Sequence, residues 1–133
     1  MKKLLLIIST TALLASCSTV ATSWKAGKSQ PNVTDTNWVL ADQVKGDVPT
    51  LRLESARIGG NAGCNTFFSD ASIDPSTGSF KAAAIASTKK MCPNMSVEQN
   101  YLKMLSEANR YVVNGSVLEL YKDNLLLLKF NKN

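Results

Sequence analysis

Two strong hairpin turns in the C-terminal third constrain the fold more than any other feature of the chain. Three apolar runs, Arg110 to Val113, Val117 to Tyr121 and Leu125 to Phe130, are separated by Asn114-Gly115 and Asp123-Asn124. Turns of this composition tolerate positive φ and join neighbouring antiparallel strands. The sequence therefore predicts a three-stranded antiparallel meander here.

The same pattern of short apolar runs separated by turn residues begins at Trp38. Trp38-Val39-Leu40 opens it, and Leu51 and Leu53 then alternate with polar residues in the manner of a half-buried strand. Ile58 follows at an odd spacing from Leu53, which predicts a bulge or a break between them.

A further hairpin is predicted in the middle of the chain. A strand beginning at Phe67-Phe68 should reach the turn Asp74-Pro75-Ser76-Thr77-Gly78. Proline pre-sets φ and glycine accepts positive φ, so this is a good turn sequence. The return strand is predicted over Phe80 to Ala86.

One helix is predicted between the two β regions. It should start near Val97, with Ser96 as the N-cap and Gln99 completing a capping box. Glu98, Lys103 and Glu107 are expected on its surface. The predicted apolar face comprises Val97, Tyr101, Met104, Leu105 and Ala108.

These elements predict a mainly β fold. We expect a curled antiparallel sheet or a partly open small β-barrel of seven to eight strands with one helix. No βαβ alternation is visible in the sequence, which argues against a parallel sheet.

The N-terminus has the pattern of an export signal. Lys2 and Lys3 precede an apolar run, and Leu14-Ala15-Ser16-Cys17 resembles a bacterial lipobox. We expect residues 1–16 to be a lipoprotein signal peptide and Cys17 to carry acyl chains that anchor the protein in a membrane. An ordinary cleavage site with a chance cysteine is the alternative.

The residues after Cys17 extend this interpretation. Ser18, where aspartate is absent, favours the outer membrane, with the domain on the periplasmic face or exposed at the cell surface. Residues 17–37, rich in Ser and Thr, are interpreted as a lipidated tether, and residues 38–130 as the folded domain. Loss of Lys2 and Lys3 lowers the formal charge from +5 to +3. The remaining cations are scattered, so nucleic acid is not an expected partner.

The chain contains no histidine, which excludes a Ser-His-Asp or Cys-His catalytic pair and removes the commonest metal ligand. Gly59, Gly60 and Gly63 lack the Lys-Ser/Thr of a phosphate-binding loop. Asp70 and Asp74 flank a turn, so surface exposure is favoured over a glycosidase pair. We expect no catalytic residue, no metal and no cofactor.

Two cysteines, Cys64 and Cys92, remain if Cys17 is acylated. Exported proteins permit disulfides, so the two are expected to form one. Two buried thiols, or one reactive thiol serving a hydrolase, are the alternatives. The glycines before Cys64 are expected to form a tight turn, and Asn65 to hydrogen-bond the turn backbone.

Four groups of residues resemble the META domain, also called the HslJ-like family, over residues 38–130. They are Trp38-x-Leu40, Gly60-x-x-Gly63-Cys64-Asn65-x-Phe67, Thr88-x-x-x-Cys92 with Glu98 and Tyr101, and Leu118-x-Leu120 with Leu128-x-Phe130. The chain departs from the family in two places: Lys89-Lys90-Met91 precede Cys92, and Ser69 stands where glycine is common.

The resemblance implies a small, partly open antiparallel barrel found in bacterial envelope proteins, often lipoproteins. HslJ-type members are linked to heat shock and to resistance to a hydrophobic antibiotic, and the fold is similar to that of secretion pilotins. No catalytic residue carries over. We therefore expect a non-enzymatic outer-membrane lipoprotein that serves envelope stress tolerance by binding a protein partner or a lipid. A pilotin-like protein, a lysozyme inhibitor and a purely structural envelope protein are the alternatives.

Overall fold

A computed structural model of the protein describes residues 28–133. This part of the chain contains nine strands and one helix in a single sheet-based domain. Their bounds are β1 Thr36–Leu40, β2 Thr50–Leu53, β3 Arg57–Asn61, β4 Thr66–Asp74, β5 Ser79–Ala82, β6 Ala86–Ser87, α1 Met95–Glu107, β7 Arg110–Asn114, β8 Val117–Lys122 and β9 Leu125–Lys132.

All nine strands belong to one sheet with the order β3-β2-β1-β9-β8-β7-β5-β4-β6, and every recorded pairing is antiparallel. β3 also pairs with β4, so the sheet curls into a ring. The ring is not a regular barrel, because β5 and β7 share the single residue pair Ser79 and Arg110. The predicted fold class is confirmed.

The predicted hairpins form where the turn residues lie. The C-terminal meander is β7-β8-β9, and the turn residues Gly115 and Asp123 adopt φ of 61° and 55°. The break predicted between Leu53 and Ile58 is a turn closed by the Glu54 N–H, which donates to the Arg57 carbonyl at 2.9 Å. Local turn chemistry therefore sets these boundaries.

The return strand predicted over Phe80 to Ala86 is divided in two. β5 ends at Ala82 and β6 begins at Ala86, and both pair with β4. The pairing register shifts by one residue between them, so one extra residue is accommodated in the segment that contains Ala83. This division raises the strand number to nine.

The core fills the ring, and α1 closes one of its ends. The Tyr101 ring makes edge contacts with Phe67 and Phe130, at centroid distances of 5.7 and 6.3 Å. Its hydroxyl donates to the Thr50 carbonyl at 3.1 Å. Burial raises the pKa of Tyr101, which keeps the donor protonated. Leu105 and Ala108 of the predicted apolar face are buried with it.

The helix begins earlier than predicted. Its N-cap is Asn94, which makes no side-chain capping bond, and Met95 is its first residue. The capping box of Ser96 and Gln99 is therefore wrong. The chain is already fixed at Lys90 and Cys92 just upstream, so the helix starts as soon as the chain leaves those contacts.

The folded domain begins before Trp38. Val33 is buried in the core, and the Gln30 N–H donates to the Pro75 carbonyl at 2.7 Å. The Gln30 side chain accepts a bond from the Val113 N–H at 3.1 Å. Residues 30–35 are thus part of the domain. The predicted signal peptide, Cys17 and the first part of the tether lie outside the described residues. Within residues 28–133, no helix is long and apolar enough to cross a bilayer.

Replacing Gly60 by alanine tests the close approach of its backbone to Thr50. A Cβ at Gly60, whose φ is 154°, would overlap the Thr50 carbonyl and lie 2.9 Å from its carbon. We expect Gly60→Ala to lower the free energy of unfolding by about 3 kcal/mol. Gly115→Ala is the control: its φ is 61° with nothing within 4 Å, so it should cost about 1 kcal/mol. Urea unfolding measures both, and equal losses would contradict the clash.

Candidate functional site

The glycine-rich stretch before Cys64 folds into a tight turn. The Asn61 side chain accepts a bond from the Gly63 N–H at 2.7 Å, and Gly63 adopts a φ of 103°. The Ala62 N–H donates to the Asn65 carbonyl at 2.8 Å. This turn presents Cys64 and Asn65 to the segment before α1 and to α1 itself.

Asn65 is the centre of a buried polar cluster. Its Oδ1 accepts bonds from the Thr88 hydroxyl at 2.8 Å and from the Lys90 N–H at 2.7 Å. Its Nδ2 donates to the Lys90 carbonyl and to the Glu98 carboxylate, each at 3.0 Å. The predicted bond to its own turn backbone is wrong. The side chain instead joins β4, the loop before α1, and α1.

Glu98 is the second member of this cluster, and its predicted surface position is wrong. The residue is only 5% exposed, and its Oε2 also accepts the Asn65 backbone N–H at 2.8 Å. None of the ion pairs formed among residues 28–133 includes it. Its carboxylate is stabilised by the N–H groups of Asn65 and by its position in the first turn of α1, where the helix dipole favours a negative charge.

A disulfide between Cys64 and Cys92 completes the arrangement, with a Cα–Cα distance of 6.1 Å. The predicted bridge is confirmed. Both sulfurs are bonded in the disulfide, which argues against a thiol nucleophile at Cys64.

We call this group of residues the Asn65 cluster; its members are Cys64, Asn65, Thr88, Lys90, Cys92 and Glu98.

The other predicted residues lie away from the cluster or beside it. Gly60 lies in β3 just before the turn, and Gly63 lies within it. Trp38 is buried in the core, and its indole N–H donates to the Thr36 hydroxyl at 2.7 Å. The structure thus brings together Asn65, Thr88 and Glu98 with the disulfide, and places Trp38 elsewhere.

Asp70 and Asp74 do not form a carboxylate pair. Asp70 is exposed and pairs with Arg57 at 3.6 Å. Hydrogen bonds from the hydroxyl and backbone of Ser76 lower the pKa of Asp74, so this carboxylate caps its own turn. In the part of the chain that the structure describes, no group of three or more potential ligand side chains could hold a metal ion.

Sequence reasoning missed the surface grooves. One of them, about 510 Å³, lies beside β4 and β5 and is lined mainly by small apolar side chains, with two cations and one carboxylate. We call it the alanine groove. It is lined by Ala56, Arg57, Asp70, Ala71, Ser72, Lys81, Ala82 and Ala83. The run Lys81-Ala82-Ala83-Ala84 was the signal that could have indicated it.

Two more grooves flank α1. One of about 230 Å³ adjoins the Asn65 cluster and includes Met91, which is 88% exposed. The other, about 460 Å³, lies between β5 and the C-terminal end of α1. Glu98 and Asn65 border the first of these, so the cluster lies beneath it as a support.

Comparison with known families assigns the fold just described. The family model of the META domain matches residues 31–133. The chain belongs to the META-domain family. The match begins next to Gln30, whose N–H is bonded to the Pro75 carbonyl, and it includes every member of the Asn65 cluster.

Two solved structures share the fold of this META domain. An NMR structure of a protein from Burkholderia xenovorans has a TM-score of 0.60 and 23% identity, covering 76% of this chain and 83% of that one. A second NMR structure has a TM-score of 0.58 and 19% identity, covering 74% and 90%. Comparison with the curated proteins found no match.

Replacing Asn65 by aspartate tests the Asn65–Glu98 contact. The change preserves shape but places a second carboxylate against a buried one, and it removes the Nδ2 donor. We expect Asn65→Asp to lower the free energy of unfolding by about 3 kcal/mol. Asn32→Asp is the matched control: Asn32 is exposed and accepts a bond from the Thr34 N–H, so it should change stability by less than about 0.5 kcal/mol. An Asn65→Asp protein as stable as this control would refute the role of the contact.

Removal of the disulfide should also destabilise the domain. The cysteines are 28 residues apart, so Cys64→Ser with Cys92→Ser should lower the free energy of unfolding by about 3 to 4 kcal/mol. Chemical denaturation measures the loss, and Cys17→Ser provides a control at the third cysteine, which takes no part in the bridge. Titration of two thiols in the native, unreduced protein would show that the bridge is absent.

Proposed function

We propose that this protein is an acylated lipoprotein of the outer membrane, whose META domain acts on the periplasmic face as a non-enzymatic binding module. Its role is envelope stress tolerance, against heat and hydrophobic antibiotics, through a protein partner or a lipid. The observation that carries the proposal is the disulfide from Cys64 to Cys92, in a chain whose residues 14–17 resemble a lipobox. A disulfide suits an oxidising compartment outside the cytosol.

A binding role rather than catalysis is supported by the bonding of the family motif. Asn65 uses its backbone N–H, both amide hydrogens and its carbonyl oxygen within the fold. The Glu98 carboxylate is engaged by Asn65, and both cysteines are oxidised. These groups stabilise the domain and leave its outer surface to meet a ligand.

The alanine groove favours a second candidate, a pilotin-like role in lipid binding. Its lining is mostly apolar, Arg57 is paired with Asp70, and Lys81 is its cation outside any ion pair among the described residues, an arrangement that fits an acyl chain with an anionic head group near Lys81. Lipid extraction from the purified protein, followed by mass spectrometry, tests this candidate. A bound acyl lipid would favour it, and an empty protein would favour a protein partner.

The stress role is tested by deleting the gene and measuring survival after heat and after exposure to a hydrophobic antibiotic. We expect greater sensitivity in the deletion strain and restoration by the wild-type gene. Unchanged survival under both conditions would overturn the stress role and favour a structural one.

The anchor is tested by Cys17→Ser. Loss of the acylated sulfur should move the protein out of the acylated membrane fraction, because the proposed anchor is the acyl chains on Cys17. Fractionation with metabolic labelling by palmitate measures the change. A variant that remains acylated and membrane-bound would exclude the lipobox.

A further inference from the structure

Met91 is the most exposed large apolar side chain among residues 28–133, at 88% exposure, although both of its neighbours are fixed. The Lys90 N–H donates to Oδ1 of Asn65 at 2.7 Å, and the Lys90 carbonyl accepts from Nδ2 of Asn65 at 3.0 Å. Cys92 is held by the disulfide. The Asn65 cluster therefore holds the backbone of Met91 in place at the surface, which lowers the entropy lost when a partner covers the side chain.

Two exposed cations precede Met91. Lys89 and Lys90 belong to none of the ion pairs formed among residues 28–133. Leu125, at 63% exposure, differs in this respect, because it lies opposite Lys122, whose ammonium group is already paired at 3.4 Å. The surface around Met91 thus combines an exposed apolar side chain with available positive charge.

The groove beside Met91 is too small to enclose a ligand. Met91 shares this groove of about 230 Å³ with Met95 and Leu102 of α1, whereas pockets that enclose small molecules measure about 300 to 1,000 Å³. Its single carboxylate, Glu98, is 5% exposed and bonded to Asn65. The groove therefore adds apolar surface beside Met91, and its two lysines outnumber its carboxylate.

The composition of this surface favours a lipid bilayer over a folded protein. We call Lys89, Lys90 and Met91 the Met91 segment. Lysine is depleted in protein interfaces, and the segment lacks Trp, Tyr and Arg, the residues that most often anchor them. An exposed apolar side chain next to lysines suits the surface of an anionic membrane, where the apolar group enters the interface and the ammonium groups meet phosphates.

The proposed anchor brings a bilayer within reach of the Met91 segment. The disulfide joins this segment to Cys64 just before β4, and Lys28 lies beside Gly78, just after the far end of that nine-residue strand. The two ends of β4 are about 30 Å apart. The eleven positions between Lys28 and Cys17 span at most about 40 Å, which is long enough for the domain to lie with this end against the bilayer.

We propose that the Met91 segment is a second membrane contact, in which Met91 enters the interface of an anionic phospholipid bilayer and Lys89 and Lys90 bind its phosphate head groups. The inference rests on the proposed lipoprotein function, because acyl chains on Cys17 keep the bilayer at a high local concentration and make a weak contact sufficient. It names the class of lipid that the domain contacts.

The first test measures binding to vesicles by co-sedimentation. The protein is the chain from residue 17, made unacylated as Cys17→Ser. One set of vesicles contains phosphatidylglycerol and phosphatidylcholine in equal parts, and the other contains phosphatidylcholine alone. At about 0.1 M salt, the anionic vesicles should bind the protein at least about tenfold more tightly. Equal binding to both vesicles, or binding to neither, would overturn the proposal and favour a protein partner.

The second test asks whether the apolar side chain takes part. Met91→Ser should weaken binding to the anionic vesicles about tenfold, because the buried apolar area is lost. Leu125→Ser is the matched control, since it removes an exposed apolar side chain elsewhere on the domain, and it should change binding by less than about twofold. A Met91→Ser protein that binds as well as this control would overturn the insertion of Met91.

The third test separates the two lysines from the general charge of the protein. Lys89→Gln with Lys90→Gln should weaken binding about 25-fold, and the bonds to Asn65 remain because Lys90 makes them through its backbone. Lys28→Gln with Lys132→Gln removes the same charge beside Gly78 and Ser116. This control should weaken binding less than about threefold, and equal losses in the two double variants would overturn the proposal.

The fourth test reports insertion directly. Met91→Trp in a Trp24→Phe protein should show tryptophan emission at shorter wavelength when anionic vesicles are added, whereas Leu125→Trp in the same protein should not. Unchanged emission at position 91 would overturn the proposal. All four tests use unacylated protein, so a failure of acylation at Cys17 would not affect them, and loss of vesicle binding would leave the acyl anchor and the stress role standing.

Discussion

The contact between Asn65 and Glu98 is the interaction on which the rest of the structure depends. It joins residues that are 33 positions apart, one at the start of β4 and one in the first turn of α1. A buried carboxylate without a cation is costly unless donors surround it, and Asn65 supplies those donors. The same side chain holds Lys90, so β4, the loop before α1 and α1 are positioned by one amide.

The disulfide and this contact act on the same segments in different ways. The covalent link from Cys64 to Cys92 limits the unfolded chain, whereas the Asn65 amide specifies how the segments lie in the native state. Once α1 is held, Tyr101 and Leu105 can close the end of the ring. β5 and β7 share only one residue pair, and α1 packs beside β5 where this pairing ends.

How far the sequence predicts this fold depends on the range of each interaction. The meander was predictable because Gly115 and Asp123 encode their turns locally, and the disulfide because two cysteines remain after Cys17. Glu98 was not predictable from periodicity, because its partner is a single residue in a distant turn. Val33 was missed because it is an isolated apolar residue in a Ser/Thr-rich stretch, and only the assembled ring shows that it is buried.

The candidate site was likewise only partly predictable from the sequence. The motif residues Asn65, Thr88 and Glu98 could be named from the sequence, but their hydrogen-bonding roles required the fold. The alanine run after Lys81 was a signal for small side chains at the surface, but the positions of the grooves could not be predicted, since they depend on where β5 ends and where α1 stops. The split between Ala82 and Ala86 arises from a register shift against β4, which no local pattern of alanines encodes.

The bond between Gln30 and Pro75 fixes where the N-terminal segment joins the domain, and so limits how far the domain can lie from residue 17. β4 has nine residues and runs from the Asn65 cluster to the turn at Asp74, so the two poles of the domain are about 30 Å apart. Gln30 is bound at the turn pole. Eleven positions separate Lys28 from Cys17, which at full extension span at most about 40 Å. On the acylation proposed for Cys17, the domain would be anchored through the end that carries the Asp74 turn, and α1 could lie at most about 70 Å from the bilayer.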